Sequence, residues 1–217
     1  MYNIKYIPHL KLNLKLPNNC VEELLNINCF YGLTLKESIK TSVRNYYYNT
    51  SQGHAFRSYT PFSKDAYYTK GSKSLHVNDA YSNPVNYKQT ESWNLIPQTT
   101  SYITDNLCDE HDLGMMCLHK LKQNSEVAWH SHCDNNLPYD LGIVHFSLIT
   151  NDKDLSEVKT NDEISSINYE KGEGYLFNGF LQHRSVNLGI NDRIHLVVEC
   201  SFENKKFKTL LSTLHAT

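Results

Sequence analysis

The feature that most restricts how this chain can fold is a series of short, β-rich segments beginning at Gly114. MMCLHKL (115–121), EVAWHSH (126–132), GIVHFSLIT (142–150), SSINY (165–169), GYLFN (174–178) and RIHLVVECSF (193–202) are rich in β-branched and aromatic residues. Turn-forming Asn, Asp, Gly and Lys separate them. About seven short strands in roughly a hundred residues, with no helical period between them, exclude a βαβ plan and predict an antiparallel barrel or jelly roll.

The first half mixes element types. Residues 4–16 alternate like an edge strand, and CVEELLNI (20–27) predicts a short helix with Asn19 as its N-cap. Thr34 with Glu37 three positions later has capping-box spacing and predicts a second helix. Residues 50–92 are polar and Tyr-rich, broken by Pro61, Gly71 and Pro84, and read as loops and short strands. Residues 98–108 read as helical, and ENKKFKTLLSTLHAT at the end reads as an amphipathic surface helix.

Whole-chain properties narrow the class. The length of 217 residues suits a single domain, with 1–110 as a helix-and-loop part packed on a catalytic β core at 113–202. Hydrophobic residues make up 40%, charged residues 20%, and the formal net charge is −2. That is a soluble globular composition without a general footprint for nucleic acid or an anionic membrane. Cysteines at 20, 29, 108, 117, 133 and 200 form no CxxC pair, so free thiols in a reducing compartment are expected. The N-terminus MYNIKYIPHLKLNLKL lacks the continuous apolar stretch of a secretory signal, and no run reaches membrane-spanning length. A cytoplasmic location is expected.

The densest group of metal-ligand side chains is WHSHCDNN (129–136). In a strand, successive side chains alternate faces, so His130, His132 and Asp134 share one face and Ser131 and Cys133 the other. With Val127 and Trp129 packed outward, the His/His/Asp face looks into the barrel. A further imidazole, His183, follows in GFLQHRSVN. Two His and one carboxylate on one face of iron(II) leave adjacent positions open for a chelating cosubstrate and dioxygen, whereas zinc is closed by four ligands or by three and a water. An anionic cosubstrate also needs a buried cation. Arg193 opens the last long strand, where its planar fork can grip a carboxylate. His145, inside GIVHFSLIT, can donate a second hydrogen bond, and His195 shares the parity of Arg193.

On these residues the chain resembles the aspartyl/asparaginyl β-hydroxylase family of iron(II)- and 2-oxoglutarate-dependent dioxygenases, which includes bacterial free-proline hydroxylases. The resembling stretches are EVAWHSHCD, DLGIVHFSLITND and GEGYLFNGFLQHRSVNLGINDRIHLVVEC, within about 113–202. The resemblance implies a double-stranded β-helix core. It implies iron bound by His132, Asp134 and His183, the distal carboxylate of 2-oxoglutarate held by Arg193, and His145 assisting. The implied reaction is hydroxylation of an amino acid, free or in a peptide, with dioxygen as cosubstrate. The family's lead-in also admits His130 as first ligand with His132 in the carboxylate's place. His132 is preferred because it alone gives His-x-Asp and because its spacing to His145 is closer to the family's.

Bland readings stand beside these. His54, His76, His111, His119 and His215 read as ordinary core or surface histidines, Cys133 as a packed thiol, Trp129 as core, and Gly172 and Gly174 as hairpin-turn residues. Asn178 and Arg184, flanking His183, read as solvent-facing turn residues. Two rival functions use the same triad: a cupin-type metalloenzyme that does not need 2-oxoglutarate, and a non-enzymatic metal-binding module.

Overall fold

The computed structural model describes residues 7–26, 56–63, 88–89, 91–121, 123–131, 141–161 and 163–214. Eight strands follow one another through its second half: β4 Leu113–Leu121, β5 Ser125–His130, β6 Leu141–Ile149, β7 Asp154–Thr160, β8 Glu163–Asn168, β9 Glu173–Phe177, β10 Gln182–Asn187 and β11 Arg193–Ser201. Before them come β1 His9–Lys15, α1 Asn18–Asn26, β2 Phe56–Ser63, β3 Lys88–Gln89 and α2 Pro97–Asn106, and after them α3 Lys205–Thr213.

Among the described residues the strands form two sheets, ordered β1-β9-β6-β11-β4-β2-β3 and β5-β10-β7-β8. Every pairing between named strands is antiparallel. Without the N-terminal strands at its edges, the larger sheet is β9-β6-β11-β4. Each chain step from β4 to β11 crosses to the opposite sheet, except the β7–β8 hairpin. That alternation is the double-stranded β-helix, or jelly roll, and it carries the predicted fold class.

The large sheet is covered on its outer side. Leu196, Val198 and Cys200 of β11 join Ile103 of α2, Val21 and Leu24 of α1 and Phe207 of α3 in one apolar cluster. This is why β11 reads as a nearly continuous hydrophobic run: both of its faces are buried. The predicted edge strand is β1, at the end of the large sheet on β9.

Helix α1 begins one residue before the expected cap, so Asn19 lies inside its first turn, where its amide donates to Gln98 Oε1. The helix capped across the pair is α2. The Glu23 carboxylate of α1 accepts from the backbone N–H groups of Gln98 and Thr99 at 2.9 and 2.7 Å, donors that have no partner within α2. The expected terminal helix is α3, and Asn204 caps it by accepting from Lys206 N and Phe207 N. The helix predicted from Thr34 lies outside the described residues.

Several turns use left-handed backbone. Asn124 (φ 53°), between β4 and β5, and Asn161 (φ 51°), between β7 and β8, are residues that tolerate it. Gly172 (φ 80°), expected in a turn, enters β9 and donates its N–H to Ser147 O at 2.7 Å. At the β10–β11 turn, buried Asn187 donates to Leu121 O and Asn191 O and accepts from Gly189 N. These bonds fix the turn that delivers Arg193 to the start of β11. The four cysteines described, 20, 108, 117 and 200, are buried free thiols.

Candidate active site

The site begins where β5 ends and β10 starts. The antiparallel ladder sets His130, the last residue of β5, directly opposite His183, the second residue of β10. Their ring centroids are 4.2 Å apart. In each ring Nδ1 lies 2.8 Å from the carbonyl oxygen two residues earlier, that of Ala128 for His130 and that of Leu181 for His183. A carbonyl only accepts, so Nδ1 carries the proton and Nε2 the lone pair. Burial lowers the pKa of His130 against the smaller opposing effect of the Ala128 carbonyl, so the ring is neutral at neutral pH. A neutral imidazole oriented through Nδ1 is the form that ligates a metal through Nε2.

Simple alternation puts Val127 and Trp129 together on the face away from His130. The ladder corrects this. His183 pairs with His130, but Ser185, two residues on, pairs with Val127, three residues back. The extra residue on β5 reverses its parity. Val127 comes inward and is buried, and Trp129, expected in the core, turns outward. It is 36% exposed, with the Arg184 guanidinium 5.1 Å from its ring centre. His132, Cys133 and Asp134 lie outside the described residues. Among the described residues no group of three metal-type side chains converges.

From His183 a row of rings crosses the space between the sheets. Phe177 stands 4.9 Å from His183 and 5.2 Å from His145. His145 Nδ1 is 3.4 Å from His195 Nδ1. Arg193 lies along His195, with Nη2 2.9 Å from Nδ1 and Nε 3.1 Å from Nε2. Alternation on β11 accounts for this: Arg193 and His195 face the interior, while Ile194 and Leu196 face the helices. The structure thus brings His183, His145, His195 and Arg193 into one interior.

The same interior holds groups that the sequence reading passed over. Asp154, the first residue of β7, is fully buried, with Oδ1 3.2 Å from Arg193 Nε. Its Oδ2 accepts from Thr150 Oγ1 at 2.8 Å and lies 3.5 Å from His195 Nε2. Ser156 Oγ accepts from Arg193 Nη2 at 3.3 Å. The Tyr169 ring stands 4.4 Å from His195, with Arg193 5.3 Å from its centre. His119, paired with His195 in the ladder, is half-buried with Nε2 2.9 Å from Cys117 Sγ. NDKDLSEVKT (151–160) looks like a turn followed by polar chain because two of the three inward positions of β7, Asp154, Ser156 and Val158, are polar. Asn178 is not solvent-facing, and Arg184 is a strand residue of β10 rather than a turn residue. Buried Asn178 donates to Ile7 O, and Arg184 is ion-paired with Glu157 on the outer face of the small sheet.

Burial controls the charge of this interior. It pulls His119 down to about 3, with Arg193 and His195 adding to the effect. It pulls His195 down to about 4 together with Arg193, against the opposing pull of Asp154. His145 is lowered well below its ordinary value, first by burial and then by its charged neighbours. Burial lifts Tyr169 to about 12 although Arg193 and Ser156 oppose it. Burial also pushes the Asp154 carboxyl up, but Arg193, His195 and Thr150 outweigh it and hold it below the usual value. Around Arg193 at neutral pH one guanidinium and one carboxylate therefore stand among neutral imidazoles.

Three buried polar atoms here have no hydrogen-bond partner among the described residues: Ser147 Oγ, the Tyr169 hydroxyl and Asp154 Oδ1. The Tyr169 hydroxyl is turned toward Ser156 without closing a bond of regular geometry. A buried polar group without a partner costs about 1–3 kcal/mol, so a cluster of them calls for an explanation. A guanidinium, two unsatisfied hydroxyls and an imidazole suit one end of a small carboxylic acid. At the other end, two imidazoles presenting Nε2 suit a first-row metal ion. The residues present therefore fit both groups.

A jelly roll with paired imidazoles at one end of its interior and a buried arginine farther in has the donors of a metal-dependent enzyme. The match to the aspartyl/asparaginyl beta-hydroxylase family spans residues 83–202, more than half the chain. The chain belongs to that family and is an oxygenase-type hydroxylase, a class that implies iron and 2-oxoglutarate. Searching curated proteins returns no match. Among solved structures, a 2OG-Fe(II) oxygenase family oxidoreductase from Burkholderia pseudomallei is 9% identical over 90% of this chain and 97% of its own, with a TM-score of 0.49. The viral collagen prolyl hydroxylase of Paramecium Bursaria Chlorella virus-1 is 12% identical over 89% and 96%, with a TM-score of 0.45. The non-heme alpha ketoglutarate dependent epimerase SnoN from nogalamycin biosynthesis is 8% identical over 90% and 78%, with a TM-score of 0.49. At these values the likenesses add nothing to the strand order described above. No helix among the described residues is long and apolar enough to cross a membrane.

Proposed function

We propose that the protein hydroxylates an amino acid, free or within a peptide or protein, using iron(II), 2-oxoglutarate and dioxygen. Iron would be held by His132, Asp134 and His183. Arg193 would hold the far carboxylate of 2-oxoglutarate, with His145 lending a hydrogen bond. The observation that carries the reading is the continuous interior row from His183 through His145 to the buried Arg193. The bound metal with its cosubstrate supplies the oxidising power that puts one oxygen atom into a C–H bond, while 2-oxoglutarate becomes succinate and carbon dioxide. The protein's part is to orient and to exclude water. His183 is fixed through its Nδ1–H, Arg193 lies in a dry pocket, and the neutral imidazoles add no competing charge.

One observation favours a second reading of the first ligand. It is His130 that stands opposite His183 with its lone pair on Nε2. His130 would then be the first ligand, with His132 or Asp134 supplying the third. Iron binding by His130→Ala separates the two readings, since the metal is lost only if His130 is a ligand and is kept if His132, Asp134 and His183 hold it. The function itself is tested by succinate release from 2-oxoglutarate with iron, ascorbate and a panel of amino acids and peptides. Turnover that ignores 2-oxoglutarate favours the cupin-type alternative, and a protein that takes up no iron overturns the reading.

A further inference from the structure

The carboxylate pocket already contains a carboxylate. Asp154 is fully buried beside Arg193, yet Arg193 does not aim its Nε–H at it. That N–H points to His195 Nε2 at 3.1 Å, while Asp154 Oδ1 sits 3.2 Å away off the bond axis, without a hydrogen bond among the described residues. The pocket is therefore neutral before any ligand arrives: one cation, one anion and an imidazole packed against both. A second carboxylate brought against Arg193 would leave a buried excess of negative charge, and a site that takes a dianion in low dielectric must compensate it.

We propose that Asp154 and His195 act as a paired charge regulator of this pocket: a dicarboxylate enters beside Arg193 with uptake of one proton by His195, which becomes the second cation. This rests on the reading of Arg193 as the carboxylate anchor. Of the groups facing His195, only Asp154 on β7 is anionic. Arg193 lies on its own strand, His119 on β4, His145 on β6 and Tyr169 just after β8. In the unliganded pocket, burial and Arg193 keep His195 neutral, as its value of about 4 indicates. An incoming carboxylate offsets the repulsion from Arg193, and a nearby opposite charge raises a histidine. The finished pocket has Arg193 and protonated His195 set against Asp154 and the ligand, two charges of each sign.

The test is calorimetry of 2-oxoglutarate binding to the iron(II)-loaded protein without oxygen, in buffers of different ionisation enthalpy, from about pH 8 to about pH 6. The expected result is a proton uptake that grows toward one as pH falls, with affinity weakening by up to about tenfold per pH unit on the alkaline side. Asp154→Asn should abolish the uptake and tighten binding, because the pocket is left one positive charge in excess. His195→Gln should abolish the uptake and weaken binding on the acid side. Uptake that survives in His195→Gln places the proton elsewhere and overturns the proposal, as does binding without uptake in the unmodified protein, which leaves Arg193 as anchor untouched. Failure to bind 2-oxoglutarate at all overturns the anchor reading and the proposal with it.

Discussion

The two faces of β11 differ in almost everything. Outward, Ile194, Leu196, Val198 and Cys200 join the apolar layer under the helices. Inward, Arg193 and His195 meet Asp154, His145 and Tyr169. Both faces are buried, so exposure does not separate them. The outer face is where burial stabilises, since its groups lose little on leaving water. The inner face carries desolvated charge and hydroxyls without a protein partner, which is the signature of a face that meets a ligand, an ion or ordered water. Stability and function are thus divided across the thickness of one sheet.

That division can be broken experimentally. Leu196→Ala on the outer face should cost about 2–5 kcal/mol of unfolding free energy. Activity per folded molecule should stay close to that of the parent, and chemical denaturation with a parallel assay checks both. His183→Gln, on the inner side of the small sheet, should do the reverse. Iron binding and turnover should fall by about a hundredfold or more, the scale on which even the supports of metal ligands matter, while the denaturation midpoint moves less than for Leu196→Ala.

Acid should attack the inner face first. His119 and His195 have folded values of about 3 and about 4, and both sit below the ordinary histidine value of about 6.5. Below that ordinary value the unfolded chain binds protons that the folded one does not. Stability is therefore complete above about pH 6.5 and is lost as pH falls toward the folded values, by up to about 1.4 kcal/mol per pH unit for each imidazole. His119→Gln should flatten the slope by its share, whereas Leu196→Ala should leave the slope unchanged. The smallest effect concerns the outer layer alone. Asn204→Ala removes the cap of α3 and should cost about 1 kcal/mol, without altering the KM for 2-oxoglutarate.

The same division explains what could be read from the sequence. Strands with an apolar outer face, β4, β6, β9 and β11, announce themselves as hydrophobic runs, and with them the fold class. In β7 and β10 most inward positions are polar, Asp154 and Ser156 beside Val158, and His183, Ser185 and Asn187, so polar residues stand where alternation expects apolar ones and neither segment is among the expected strands. Arg193 and His145 were legible because a guanidinium or imidazole in an apolar strand needs a reason, and His183 because it completes the spaced family pattern. Asp154 was hidden in a stretch of turn-like composition, and Tyr169 at a strand end. The outward turn of Trp129 depends on a one-residue bulge in β5 that no periodicity records. The facing pair of imidazoles is legible only in part, since register rather than motif sets His130 opposite His183.

The most direct measurement is 2-oxoglutarate consumption by the iron-loaded protein with an amino-acid and peptide panel, comparing the parent with Arg193→Lys, which keeps the charge but loses the two-pronged grip. The expected result is succinate formed in step with a product heavier by one oxygen atom, with the KM for 2-oxoglutarate raised about tenfold or more in Arg193→Lys and iron still bound. Product formation that proceeds without 2-oxoglutarate, or that is indifferent to Arg193, would contradict the assignment of this interior as a cosubstrate site.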